Sequence, residues 1–277
     1  MIARNIIFLF VCLLALICAF FIVGHISADG AALRVHFFSV GYADSILLKF
    51  PKKNVLIDSG SKEYCGKLVQ DLISLDIKGI DSAIITHPHD NHYGCFADII
   101  DNFTVRQFIV NYDVKNADSG YRELFRKVIA NKIPVRAVKA GDVIFSDKGY
   151  TLLAVLSPDI LSDSTNDNSL VTWLRYKDTS FLFTGDISPK TQDIILKKSS
   201  ALKYADCVQV PHHGGEISQA FIKSFRGKIF VVSTGKNKYG LPLQTQLEEL
   251  SGEVLRTDQK GDITLESDGK KVRLVYD

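Results

Sequence analysis

The stretch ITHPHDNHYG, residues 85–94, places His87, His89, Asp90 and His92 within six positions and holds three of the chain's seven histidines. Imidazole and carboxylate are the groups a zinc-like dication prefers. A strand that ends and turns here can aim such closely spaced side chains at one point. A core role suits them poorly, because each buried ring needs a polar partner. Held by such ligands, a dication lowers the pKa of its water to about 7, so hydroxide becomes available near neutral pH. The chemistry to expect is hydrolysis without a covalent enzyme intermediate.

Further ligand-type residues follow other apolar runs. FLFTGDI delivers Asp186, VQVPHHGG delivers His212 and His213, and VLIDSG delivers Asp58. A single Asp after a strand is commonly a turn former or helix cap. Four polar strand ends together point to one rim on which ligands converge. An Asp from a separate strand suits the bridging of two ions, and Asp90 or Asp186 can manage a proton. STGKNKYG offers Lys236, Asn237, Lys238 and Tyr239 for phosphate binding, the plain alternative being a solvated loop.

The elements that must position these residues are short. LRVHFFSV, DSILLKF and NVLID predict three consecutive strands, with Gly41 and Pro51-Lys52 as punctuation. A helix is expected over 62–76, a strand at SAIIT, a helix from about His92, a strand at RQFIV and a helix over 119–131. β segments follow at 134–138, 143–145, 150–156, 169–176 and 180–184. Ser188 is placed to cap a helix with Pro189 in its first turn. DCVQV and KIFVVST predict strands, 216–226 and LPLQTQLEELS helices, and 262–267 and 271–276 closing strands. Two β-rich runs, each with its helices, fit an α/β fold built as a four-layer αββα sandwich.

The spacing H-x-H-x-x-H, then T-G-D, then H-H-G resembles the metallo-β-lactamase superfamily. In order, VHFFSVGYADSILLKF, NVLIDSG, THPHDNHYG, NDNSLVTWLRYKDTSFLFTGDI, VQVPHHGG, STGKNKYGLP and LRTDQKGDITLESDG resemble the extracytoplasmic hydrolase domain of ComEC-type DNA-internalisation proteins, from about residue 34 to 276. The resemblance implies that His87 and His89 bind one metal ion. It implies that His92 and one of His212 and His213 bind a second, that Asp186 bridges the two, and that Asp58 orients ligands. It implies Zn2+ as cofactor, one or two ions, with Mn2+ as the alternative. The family pattern has Asp where this chain has Asn91, an amide ligand that brings no charge. It has His where this chain has Leu241. The region around Asn166, Asn168 and Ser169 stands where many members place a third histidine. Restoring Asp at position 91 is expected to raise occupancy of the second ion.

Residues 6–23, IIFLFVCLLALICAFFIV, carry no charge and as a helix span about 27 Å. Residues 1–32 therefore predict a signal anchor or a cleaved signal peptide with a short linker, followed by a hydrolase domain over 33–277. The expected location is extracytoplasmic, either membrane-anchored through this transmembrane helix or secreted. Cys65, Cys95 and Cys207 permit one disulfide at most and are expected to be buried thiols. A net charge of +2 makes no electrostatic argument for a nucleic-acid partner. The function expected is a metal-dependent hydrolase, a phosphodiesterase or nuclease with a phosphodiester, DNA among the candidates, as its substrate partner. The alternatives are hydrolysis of another ester, such as a phosphorylcholine ester or a lactone, and a catalytically degenerate binding domain. No protein partner is inferred.

Overall fold

Buried strand residues alternate between two apolar environments, and this alternation builds the layers. In the computed structural model the described residues are 32–111, 113, 115–147 and 151–276. The first half contains β1 (Leu33–Phe37), β2 (Ile46–Phe50), β3 (Lys53–Ile57), β4 (Gly79–Ile80), β5 (Ser82–Ile85), β6 (Thr104–Val105), β7 (Phe108–Val110) and β8 (Val135–Ala137). The second contains β9 (Val143–Asp147), β10 (Thr151–Ser157), β11 (Val171–Tyr176), β12 (Thr179–Phe183), β13 (Cys207–Gln209), β14 (Lys228–Val232), β15 (Gly252–Arg256), β16 (Ile263–Ser267) and β17 (Val272–Val275).

One sheet runs β17-β16-β1-β2-β3-β5-β7-β8, and the other β15-β14-β13-β12-β11-β10-β9. Val55 and Ile57 of β3 and Ile84 of β5 face Phe181, Phe183 and Val231 of the second sheet in a shared core. Leu56, Ala83 and Ile85 point the other way, onto α1 (Cys65–Ser74), α2 (Asp90–Tyr93), α3 (Phe96–Asn102) and α4 (Ser119–Ala130). Leu182, Phe230 and Val232 likewise meet α5 (Pro189–Lys198), α6 (Gln219–Ser224) and α7 (Gln244–Glu248). The result is the αββα sandwich. Strands covered on both faces read as continuous apolar runs, which is why the sequence shows them as such.

β3, β5 and β7 are parallel, as are β12, β13 and β14. The carboxyl ends of parallel strands open where no crossover helix covers them, the usual place for a ligand. Asp58 follows β3, His87 follows β5, Asp186 follows β12 and His212 follows β13.

Local expectations are corrected in several places. Ser188 sits at the start of α5 without a side-chain capping bond; its amide instead donates to Asp167 Oδ1 at 2.9 Å. The helix expected over 216–226 is shorter, because Ser218 caps it by accepting from the Phe221 amide. β15 and the one-turn helix α8 (Thr257–Lys260) have no counterpart in the sequence reading. Cys65 and Cys95 are not free thiols: they form a disulfide across 30 positions, while Cys207 is a buried free thiol. The extracytoplasmic, membrane-anchored or secreted placement is also corrected, since no helix among the described residues is long and apolar enough to cross a membrane. The stretch 6–23 on which it rested lies outside the described residues, as does the signal segment over 1–31.

Candidate metal centre

Asp58 organises the site from beneath. Its Oδ1 accepts from the Thr86 amide at 2.8 Å, and its Oδ2 accepts from the Thr86 hydroxyl at 2.7 Å and from His92 Nδ1 at 2.8 Å. With its proton given to Asp58, the Thr86 oxygen faces His87 Nδ1 at 3.1 Å. The Ser169 hydroxyl, donating to the Asn166 carbonyl, faces the same nitrogen at 3.2 Å. His87 therefore carries its proton on Nδ1 and turns its Nε2 lone pair inward, while His92 donates from Nδ1 to Asp58 and holds Nε2 toward Asp186. Asp58 adopts a left-handed backbone (φ 56°), strain that a functional loop can hold when its surroundings over-determine it.

The inward atoms converge on Asp186. Its Oδ2 lies 3.3 Å from His92 Nε2, 3.7 Å from His87 Nε2, 3.7 Å from His213 Nε2 and 3.8 Å from His212 Nε2. His87 Nε2 and His89 Nδ1 stand 2.9 Å apart. Gly185 sets this carboxylate: at φ 55° it is left-handed, and a Cβ there would lie 2.9 Å from Ser169 Cβ. His212 and His213 are both left-handed as well. His213 is buried and donates from Nδ1 to the Ser233 carbonyl at 2.9 Å, whereas His212 leaves 36% of its side chain exposed.

Two groups could each hold an ion, with ligand atoms mutually within 4.8 Å: His87, His89 and Asp186; and Asp44, His92, Asp186 and His213. Asp44 is absent from the sequence-based expectations. It lies in the turn between β1 and β2 and is 1% exposed; neither carboxylate oxygen has a hydrogen bond of normal length among the described residues, with the Ser233 and Gln209 side chains acting on it more weakly. Asp186 Oδ1 is unpartnered too. Buried carboxylate oxygens without donors are costly, and a cation among these ligands would satisfy them. The residues present therefore fit a divalent ion.

Electrostatics agree with that donor set. Burial, reinforced by His92, holds His87 well below its ordinary value, and burial also lowers His89 and His213. Neutral imidazole is the form that binds metal. Burial opposes charge on His92, but Asp186 and Asp58 outweigh it and raise its pKa. Burial pushes Asp44 up to about 6. In metal-free protein a raised carboxyl stabilises the fold fully below the free value of about 4, and that contribution is lost as pH rises through about 6. Asp44→Asn is therefore expected to stabilise the metal-free protein above pH 6, on the order of 2 kcal/mol, with the difference closing toward pH 4 in urea titrations. Asp58→Asn is expected to weaken metal binding about 10–100-fold, because the orientation of His92 is loosened; a direct metal titration measures it.

A cleft of about 460 Å³ opens over the site, with Tyr42, Tyr239 and Leu241 as its apolar lining and Asp90, Asn91 and Asn166 among its polar lining. Tyr42 packs at a tilt against His213 (4.3 Å between centroids) and against Tyr239 (5.3 Å). Asp90 is exposed at the cleft, outside both ligand groups. The Asn91 amide nitrogen lies 3.0 Å from His213 Nε2 and 3.3 Å from the Tyr42 carbonyl. Asn168 is turned into a buried network with Asp113 and Ser162. Two expected substrate contacts are corrected. Lys236 is exposed and does not line the cleft. Asn237 donates to the Gly235 and Leu241 carbonyls and accepts from the Tyr239 and Leu241 amides, so it holds the turn together.

The profile of the Metallo-beta-lactamase superfamily matches residues 39–235. The chain belongs to this superfamily, most of whose members are hydrolases. It is 28% identical over 268 residues to ComE operon protein 3 of Bacillus subtilis (strain 168), covering 88% of this chain and 34% of the relative. The chain thus spans about a third of that protein's length. It is 27% identical over 204 residues to a probable metallo-hydrolase of Methanocaldococcus jannaschii, covering 69% of this chain and 96% of the relative. Among solved structures, CmlA, a diiron beta-hydroxylase from Streptomyces venezuelae, superposes with a TM-score of 0.54 at 14% identity, covering 86% of this chain and 54% of that one. A diphosphatase from the PhnP family superposes at 0.51 and 13% identity, covering 88% and 100%. These two likenesses speak for the fold alone.

Proposed function

We propose that the chain is a divalent-metal-dependent phosphodiesterase, using zinc or manganese, with nucleic acid among its substrates. The observation that carries this reading is a single buried carboxylate, Asp186, shared by two ligand groups beneath an open polar cleft. A bound dication supplies Lewis acidity and lowers the pKa of a water molecule to about 7. His87, His89 and His213 would present neutral lone pairs to it, His92 would do so once its Nε2 proton is displaced, and Asp58 and Thr86 fix two of those rings. Asp186 is buried with its Oδ2 among the imidazoles, and exposed Asp90 is the carboxylate free to take a proton at the cleft. His212, part-exposed in the cleft lining, is placed to meet a phosphate oxygen or the leaving oxygen of a bound substrate. Tyr239, 61% exposed, offers a ring on which a base can stack. The resemblance of the sequence motifs to those of ComEC-type DNA-internalisation proteins supports the nucleic-acid branch.

A second reading, hydrolysis of a small phosphodiester or other ester, is favoured by a cleft lining that includes no Lys or Arg among the described residues, since long DNA is normally held by many cationic contacts. Turnover of bis(p-nitrophenyl) phosphate, plasmid DNA and a phosphorylcholine ester with zinc and with manganese decides between them. Cleavage of DNA with little action on the choline ester is expected. Purified protein that takes up no divalent metal would sink the proposal.

A further inference from the structure

The family pattern puts a carboxylate where this chain has Asn91, which would leave the second ion poorly held. We propose that Asp44 supplies the missing carboxylate from the β1–β2 turn, and that the ion among Asp44, His92, Asp186 and His213 is consequently the tightly bound one. The ion at His87, His89 and Asp186 is then the weaker, exchangeable one that meets substrate. This rests on the metal-dependent part of the proposed function.

The two positions are neighbours: the Asp44 amide donates to the Asn91 carbonyl at 3.3 Å, and the Gly60 amide to the Asp44 carbonyl at 2.7 Å. Asp44 is thereby pinned beside the residue it replaces. One ligand atom of Asp44 lies within 4.8 Å of those of His92, Asp186 and His213; the ring nitrogens its oxygens approach at 3.9 and 4.0 Å, His92 Nδ1 and His213 Nδ1, are the ones turned to Asp58 and to the Ser233 carbonyl. Asn91 turns its amide to His213 Nε2 instead, a contact that an ion at that nitrogen would take over.

The two ligand groups differ in kind. The Asp44 group has four protein ligands, all buried, two of them carboxylates to offset a double charge. Four protein ligands are the pattern of a closed, tightly held site. The other group has three, one of which, His89, is half-buried and lines the cleft. Three protein ligands with a position left over are the pattern of a site that exchanges water and substrate. Charge repulsion between two dications shared by one Asp186 further separates the affinities.

The test is metal titration of the full chain with Zn2+ by equilibrium dialysis and elemental analysis, on wild type, Asp44→Asn, Asp44→Asn with Asn91→Asp, and His89→Ala. Wild type is expected to show one tight and one weaker ion. Asp44→Asn should weaken the tight ion by more than about 100-fold, beyond what partners outside the ligand set contribute. Adding Asn91→Asp should restore much of that affinity. His89→Ala should remove the weaker ion and leave the tight one, which also shows that variants of this centre still fold. An unchanged tight ion in Asp44→Asn, or loss of the tight ion in His89→Ala, overturns the inference and leaves the phosphodiesterase reading standing. Tight zinc lost in Asp44→Asn with no phosphodiester turnover by wild type does the reverse. A wild-type chain that binds no zinc ends both.

Discussion

Asp186→Asn is expected to lower kcat/KM for bis(p-nitrophenyl) phosphate by more than about 100-fold, or about 2.7 kcal/mol of transition-state stabilisation. Its Oδ2 is within 3.8 Å of ring nitrogens from four histidines, so one substitution touches both ligand groups. Removing the charge also leaves His92, whose raised pKa depends largely on Asp186, with less reason to be charged in metal-free protein. Amide at this position keeps the volume and the backbone of the Gly185 turn, so the loss is assigned to charge rather than to folding. Steady-state kinetics with metal analysis on the same sample measures it. Retention of wild-type turnover together with wild-type metal content would remove Asp186 from the centre.

Loss of the Cys65–Cys95 bridge has the largest expected effect on stability. The bridge closes a loop of 30 positions, for which the chain-entropy estimate is about 3–4 kcal/mol. In a domain of this size that corresponds to a melting point about 10 °C lower. The closed loop contains Thr86 to His92, so the effect reaches the site. The Cys95 amide donates to Ser59 Oγ, and the Ser59 amide donates to the His92 carbonyl at 2.6 Å. Cys65→Ser with Cys95→Ser is therefore expected both to melt earlier and to lose metal more readily to a chelator than wild type. Calorimetry with and without reductant tests the first point. An unchanged melting point would show that packing of α1 against α3 already fixes the loop.

The alternation that sends Leu56 outward and Val55 and Ile57 inward is a local property of β3, and it was legible as an apolar run. So was the clustering of His87, His89 and His92, because a side chain's chemistry and its place at a strand end are both written along the chain. That Asp186 and the His212-His213 pair belong to the same rim could also be read, since each ends a parallel strand. Which of those two histidines turns inward was not legible. It depends on two successive left-handed residues and on a carbonyl, that of Ser233, contributed by the next strand. Asp44 was invisible for a related reason. In GYADS it looks like an ordinary turn former, and its burial and its unpartnered oxygens arise only when the β1–β2 turn closes over the His92 loop. Asn237 went the other way, looking free in sequence and proving fully hydrogen-bonded within its own turn. Residue type and spacing along one strand end determined the chemistry; the burial of a carboxylate among imidazoles from the ends of two strands, one in each sheet, was decided only by the packing of the two sheets, because desolvation is a property of neighbours distant in the chain.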